Sequence, residues 1–338
     1  MAAGILPFAV PGLPPAGLRM KIFIAVAGLD PEQRQRLTAG LAGHVLQYRD
    51  ACADEAASRA AIAGAEVVFG NVPATWLIPA RSLRWVQLDS AGVDAYLKLN
   101  AERPGSPVVL TNLRDFYGMA VAEATLAGIL AFYRQLPRLL VAQHEGRWIK
   151  REIEGAAAIR QLHGAGVIIL GAGAIGRKIA ALLRPFEGEI KFFARTAPDA
   201  ALRSRAELDA ALPGAEVVIN TLPHTPDTIG LIGPERLACF RPTALFVNMG
   251  RGSVLDEAAL VGALNAGRLG GAVLDVTGVE PLPAGHVLWA HPRVLLTQHT
   301  GGRFPGEAAA KVTRFLENFA RFTRGEPLVG ALDAARGY

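Results

Sequence analysis

Val167-Ile168-Ile169-Leu170-Gly171-Ala172-Gly173-Ala174-Ile175-Gly176, continuing as Arg177–Leu183, decides how this chain folds. Four consecutive aliphatic residues read as a buried strand. Glycines in the spacing GxGxxG follow at once, and the segment after them reads as a helix. In that strand–turn–helix context the first glycine permits a tight turn. The second lets backbone approach a pyrophosphate, and the third lets the helix pack close to the strand. Free N–H groups at the helix start would hold the anion. Gly171, Gly173, Ala174, Ile175 and Gly176 are therefore the expected dinucleotide-binding residues. The plainer alternative is a glycine-rich turn without a ligand.

The next strand bears on which dinucleotide. NAD sites usually carry an acidic residue about 20 positions on, accepting from the ribose 2′-OH. Here the strand runs into Ala194-Arg195-Thr196, with no acid and with a guanidinium. Arginine's planar fork suits phosphate. The expected cofactor is thus NADP(H), with NAD(H) also accepted, and Arg195 and Thr196 are the expected phosphate contacts. In the alternative, Arg195 stacks on adenine or faces solvent. Residues 177–205 hold seven Lys and Arg against three Asp and Glu, a local excess of +4. That excess fits a solvated helix face or a nearby anionic cofactor.

Outward from this motif, the strand candidates are Val167–Leu170, Ile190–Ala194, Val217–Thr221, Leu245–Asn248, Ala272–Asp275 and Val294–Thr297. An earlier series comprises Lys21–Val26, Val45–Arg49, Glu66–Gly70, Trp85–Leu88 and Val108–Leu110. Helical stretches between strands predict parallel sheets built from βαβ units in both halves. Between the halves, Met119–Tyr133 is almost wholly apolar, which predicts a helix buried all round. Asp256 reads as the N-cap of a helix ending near Gly267. A last amphipathic helix from Pro305 to Gly325 carries the stripe Ala309, Val312, Phe315, Leu316 and Phe319 and could return the chain to the first domain.

The 338 residues suit about two domains. With 51% hydrophobic and 19% charged residues and a mean hydropathy of +0.27, the chain is not a disordered one. Its apolar runs are broken too soon for a membrane span. Residues 1–19 are apolar, but Pro7, Pro11, Pro14 and Pro15 argue against a signal peptide and for an N-terminal extension. A net charge of +5 without a long basic run signals nucleic acid only weakly, and no nucleic-acid or membrane partner is expected. Cys52 and Cys239 lie far apart, form no CxxC motif and fit a reduced, cytoplasmic enzyme.

Three segments downstream carry chemistry. Asn248–Ser253 contains Arg251, Val279–Pro281 contains Glu280, and Thr297–Gly302 contains His299. A cation can grip a 2-keto acid, and a histidine backed by a carboxylate can move a proton. Each has an ordinary alternative: a strand-end cap, a loop acid, or one structural histidine among seven.

With these residues in hand, the chain after residue 20 resembles the D-isomer-specific 2-hydroxyacid dehydrogenase family. The resemblance rests on GAGAIG at 171–176, NTLPHTPDTIGLI at 220–232, FVNMGRGSVLDEAAL at 246–260, LDVTGVEPLP at 274–283 and TQHTGG at 297–302. It implies two Rossmann-like α/β domains: a flavodoxin-like substrate domain from 20–118 plus 300–338, and a dinucleotide-binding domain with a parallel sheet at 119–299. The site would lie in the cleft between them. By similarity Arg251 binds substrate, Glu280 is the carboxylate partner and His299 the acid/base. Leu222, Pro223 and Asp275 join the cofactor contacts. Ala91, Gly92 and Val93, in Ser90–Asp94, match the loop whose amides hold the substrate carboxylate.

The family often has an aromatic at Thr277, Pro at Gln298 and His at Ala124. These departures bear on subfamily and pocket, not on the chemistry. The resemblance implies a homodimer through the cofactor domain and a small 2-keto or 2-hydroxy acid such as glyoxylate or hydroxypyruvate. The competing readings are an NAD-linked enzyme like phosphoglycerate dehydrogenase and a nucleotide-sensing corepressor or scaffold on the same fold. No metal site is expected.

Overall fold

The structure is a computed structural model that describes residues 19–154 and 159–332. The expected N-terminal extension, apart from Arg19, lies outside the described residues, as does the end of the segment 300–338.

The first sheet comes from β1 (Lys21–Ile24), β2 (Val45–Tyr48), β3 (Val67–Phe69), β4 (Trp85–Gln87) and β5 (Val109–Thr111). Helices α1 (Pro31–Gly40), α2 (Glu55–Ala63) and α3 (Ala74–Leu77) connect the first four. Next come α4 (Gly118–Tyr133), α5 (Leu136–His144) and α6 (Lys150–Glu154). The second sheet is built from β6 (Val167–Leu170), β7 (Ile190–Phe193), β8 (Val217–Asn220), β9 (Leu245–Asn248), β10 (Gly271–Leu274) and β11 (Val294–Leu296). Its helices are α7 (Ala174–Leu183), α8 (Arg205–Ala211), α9 (Pro234–Cys239) and α10 (Glu257–Asn265), and α11 (Glu307–Arg324) follows. The chain divides into two units, Met1–Phe116 with Phe304–Tyr338, and Tyr117–Arg303.

In the first unit the strand order is β2-β1-β3-β4-β5, all parallel, which is the flavodoxin-like order. Side chains alternate between its two faces. Phe23, Val68 and Val86 pack on one side; Ile22, Ile24, Val67, Phe69 and Trp85 pack on the other. The latter face receives α11, whose Val312, Phe315, Phe319 and Phe322 are buried. Phe315 stacks on Phe69 at 4.2 Å between ring centroids. Asn318, also buried, donates to Gln87 Oε1 at 2.8 Å, and Thr111 Oγ1 donates to the same oxygen at 2.8 Å.

In the second unit the order is β11-β10-β9-β8-β6-β7, again parallel. Beyond β7, Leu202 makes a one-residue parallel bridge to Phe193. With Leu202 counted as a vestigial strand, the order becomes 3-2-1-4-5-6-7, the Rossmann pattern extended by one strand. Its switch point lies between β6 and β8, where the strand order reverses. Both faces are covered: Ile168, Leu170, Val218, Phe246 and Leu274 belong to one core, Val167, Ile169, Ile219, Val247 and Val273 to the other.

The expectation of a helix buried on every side is corrected. In α4, Val121, Ala122, Thr125, Gly128 and Ile129 are buried, but Met119, Glu123 and Ala127 are exposed. The helix lies along the sheet so closely that a Cβ at Gly128 would come within 2.8 Å of Val273 Cγ1. Close packing on one side demands a small residue, and alanine-rich composition raises the apolar count without requiring burial all round.

Candidate active site

The second unit gathers the expected groups through its topology. β9, β10 and β11 are adjacent, parallel and in register, with Leu274 opposite both Asn248 and Leu296. Neighbouring strands run about 4.8 Å apart. The loops leaving their C-terminal ends therefore emerge side by side, and they carry Arg251, Glu280 and His299 in turn.

His299 Nδ1 lies 2.6 Å from Glu280 Oε2. A carboxylate needs a donor, so Nδ1 carries the proton in this pair and Nε2 is left for exchange. The other carboxylate oxygen, Oε1, accepts from the Thr277 amide at 2.9 Å. The Gly278 amide donates to Glu257 Oε1 at 2.6 Å, which ties the loop to the first turn of α10. Arg251 is half-buried, and its Nη1 donates to the Gly250 carbonyl at 2.8 Å. The loop bearing Arg251 touches the loop bearing Glu280: a Cβ at Gly252 would fall 2.0 Å from the Thr277 carbonyl oxygen.

Asp275 has a definite task here. Its Oδ1 accepts from Thr297 Oγ1 at 2.6 Å, the Thr300 amide at 3.0 Å and the Gly301 amide at 3.2 Å. The carboxylate thus organises the turn around His299. Within that turn Gln298 and His299 both adopt left-handed backbone, with φ of 54° and 55°. Proline, fixed near −65°, cannot follow that path, so glutamine at the place where the family often has proline is consistent with the local backbone.

Two buried asparagines went unnoticed in the sequence. Asn220 ends β8 and Asn248 ends β9. Asn220 Nδ2 donates to Asn248 Oδ1 at 2.8 Å, while Asn220 Oδ1 accepts from the Leu222 amide at 3.1 Å. Asn248 Oδ1 also accepts from the Gly250 amide at 3.2 Å, and its Nδ2 donates to the Arg251 carbonyl at 3.1 Å. The pair therefore shapes the loops carrying Leu222 and Arg251 together. The available signal was the repeated strand-final Asn in VVIN and LFVN.

The glycine motif fits a dinucleotide. Gly171 has φ 106°, and a Cβ at Gly176 would lie 2.2 Å from the Gly171 carbonyl oxygen. At Gly173, the N-cap of α7, a Cβ would meet nothing within 4 Å. Space is thus kept over the helix N-terminus, where a pyrophosphate would sit. Ala174, Ile175, Leu222 and Pro223 are all half-buried around this end of the sheet. Arg195 and Thr196 are exposed at the end of β7. Arg195 Nη1 pairs with the Asp227 carboxylate. The guanidinium after β7 is thus paired with an acid from the loop after β8, 32 residues away in sequence.

The NAD-binding-domain pattern of the D-isomer specific 2-hydroxyacid dehydrogenases matches residues 126–301. The chain belongs to the D-isomer-specific 2-hydroxyacid dehydrogenase family. It is accordingly an NAD(P)-dependent oxidoreductase of 2-hydroxy acids. Glyoxylate/hydroxypyruvate reductase A of Klebsiella pneumoniae is 33% identical over 275 residues, covering 79% of this chain and 85% of the relative. The Escherichia fergusonii enzyme of the same name is 34% identical with the same coverage. Among solved structures, a D-isomer specific 2-hydroxyacid dehydrogenase from Xanthobacter autotrophicus Py2, in complex with NADPH and MES, gives a TM-score of 0.77 at 29% identity. The match covers 95% of this chain and 99% of that one. An NADPH-dependent glyoxylate/hydroxypyruvate reductase from Sinorhizobium meliloti, with NADP and sulfate, gives 0.77 at 26% identity, covering 95% and 100%.

In the first unit of this dehydrogenase, the Ser90–Val93 loop is fastened at several points. The Asn71 amide donates to Asp89 Oδ1 at 2.9 Å, and Asn112 Nδ2 donates to the Ala91 carbonyl at 2.7 Å. The Leu113 amide donates to the Ser90 carbonyl at 2.9 Å. Among the described residues, the amides of Ala91, Gly92 and Val93 have no protein acceptor. No helix of the described residues is long and apolar enough to cross a membrane.

Proposed function

We propose that this dehydrogenase reduces small 2-keto acids, glyoxylate and hydroxypyruvate foremost, with NADPH preferred over NADH. The observation that carries the reading is the His299–Glu280 pair at 2.6 Å, formed between the loops after β11 and β10, with the loop of Arg251 following the next strand, β9. The relatives named for this activity, and solved structures holding NADPH or NADP, support it.

Bound over Gly171–Gly176, the cofactor supplies hydride to the substrate carbonyl carbon. Arg251 binds the oxygens on which negative charge grows as hydride arrives. His299, as imidazolium, gives its Nε2 proton to that oxygen. Glu280 holds the ring by Nδ1 and stabilises its charged form. The unengaged amides of Ala91, Gly92 and Val93 take the substrate carboxylate. Arg195 and Thr196 take the 2′-phosphate of NADPH.

A cytoplasmic homodimer belongs to the same reading. Its support is an apolar stripe on α5 and after it: Leu136, Leu139, Leu140, Val141 and Trp148 are exposed, Trp148 at 91%. Lone exposed apolar residues are ordinary, but a stripe of them along one short helix suits a second copy of the chain.

The test is a panel of 2-keto acids assayed with NADPH and with NADH, beside His299→Ala. Turnover of glyoxylate and hydroxypyruvate is expected, with a larger kcat/KM for NADPH. His299→Ala should lower kcat by about 10²–10⁴ while cofactor binding persists. Intact NADPH binding without turnover of any 2-keto acid would overturn the enzymatic reading.

A further inference from the structure

Asp227 engages the guanidinium that is expected to receive the cofactor's 2′-phosphate. Its carboxylate pairs with Arg195 Nη1, and its main-chain oxygen accepts from Arg205 Nη2 at 3.0 Å. Arg195 leaves the end of β7 and Arg205 begins α8, so cations from two elements converge on one acid. The acid itself is held in place. Thr228 Oγ1 donates to the Pro223 carbonyl at 2.6 Å and accepts from the Thr225 amide at 2.9 Å, closing the turn that contains Asp227. The same loop carries Leu222 and Pro223, both expected cofactor contacts.

We propose that Asp227 sets the cofactor selectivity of this enzyme by competing with the 2′-phosphate for Arg195, which restrains the preference for NADPH over NADH. The inference rests on the reading that Arg195 receives that phosphate. NADPH must draw the guanidinium away from Asp227 and bring a doubly charged group beside a carboxylate. NADH brings only a hydroxyl. Towards a hydroxyl the Asp227 carboxylate is an acceptor, the part played in NAD sites by the acid that β7 lacks. One side chain therefore acts in opposite senses on the two cofactors. The Arg195–Asp227 pair is about two-thirds exposed on both sides, so water and salt screen it. Screened Coulomb repulsion between that carboxylate and a phosphate dianion sharing the same guanidinium amounts to roughly a threefold to tenfold weakening of binding.

Asp227→Asn keeps the shape and the main-chain acceptor for Arg205 while removing the charge. Calorimetric binding of adenosine 2′,5′-bisphosphate and of 5′-AMP isolates the phosphate effect from turnover. NADPH and NADH dissociation constants complete the set, with Arg195→Leu measured alongside and melting curves confirming the fold. The expected result is bisphosphate and NADPH binding tightened about threefold to tenfold in Asp227→Asn, with 5′-AMP and NADH bound no more tightly than before, and the gain shrinking as salt is added. If Arg195→Leu weakens NADPH but Asp227→Asn leaves it unchanged or weaker, the competition is overturned and the phosphate role of Arg195 stands. If Arg195→Leu does not change the ratio of NADPH to NADH binding, the reading of Arg195 falls and takes the inference with it.

Discussion

His299 follows Gln298 into left-handed backbone, a state that costs an L-residue roughly 1–2 kcal/mol. Two such residues in succession persist because the Asp275 carboxylate collects Thr297, Thr300 and Gly301 around them. The turn aims the imidazole at Glu280. A β-branched side chain at position 298 should be poorly tolerated there. Gln298→Val is expected to lower the melting temperature and kcat together, while Gln298→Gly retains both more nearly; equal behaviour of the two variants in thermal melts and steady-state assays would refute the strain argument. Arg251, Glu280 and His299 could be singled out as candidates because each lies in the loop that follows an apolar strand run, and their proposed roles came from the family resemblance. Asp275 was legible as a residue near the site but not as the organiser of the turn, since its partners lie more than 20 positions downstream. Asp227 was illegible as the companion of Arg195 for the same reason: pairing between loops is a product of strand order, and no local pattern encodes it.

At the scale of elements, the runs VIIL, VVIN and LFVN declared β6, β8 and β9 to the residue or within one of it, because a strand buried on both faces is apolar up to its final residue. Helix α11 was equally plain, its aromatic stripe facing the sheet and Gly325 ending it at φ 69°. Helix α4 was misread because apolar composition reports what could be buried, and packing decides what is. The aromatic layer of α11 invites a direct measurement. Phe315 is fully buried between Phe69 and Trp85. Phe315→Ala should cost about 3–5 kcal/mol, read as a lower urea midpoint of the first unit; a loss below about 1 kcal/mol would mean the layer closes over the gap or matters little.

Over the whole molecule, two histidines make stability depend on acidity. His44 Nδ1 accepts from the Met20 amide at 3.2 Å, and His291 Nδ1 accepts from the Arg293 amide at 3.2 Å. Burial pulls both below the ordinary value of 6.5; Glu66 opposes this at His44, and Arg293 adds to it at His291. The unfolded chain therefore binds protons that the folded one refuses. Their contribution is complete above pH 6.5 and is lost as the pH falls below it towards the folded values. The melting temperature should drop between pH 7.5 and 5.5, and the drop should shrink in His44→Asn with His291→Asn, which keep an acceptor without a titrating ring. An undiminished drop would assign the acid sensitivity elsewhere. Assembly is open to a similar check. Leu140→Asp with Trp148→Ser should convert a dimer to a monomer in sedimentation velocity, and a dimer that survives both changes would place the interface on another surface.

The first unit is interrupted where its chain departs after Phe116 and resumes at Phe304, and the rings of those two residues lie 5.5 Å apart. Seen from the ribosome, this makes an order of events. Every residue of Tyr117–Arg303 is synthesised before α11 exists, so the inserted unit can complete its sheet while the first still lacks its covering helix. Until then Phe69 and Trp85 have no aromatic partner from α11, and the face they share is open to whatever the nascent chain meets. Newly made polypeptide is thus most vulnerable through the part of the first unit that is translated before the insertion.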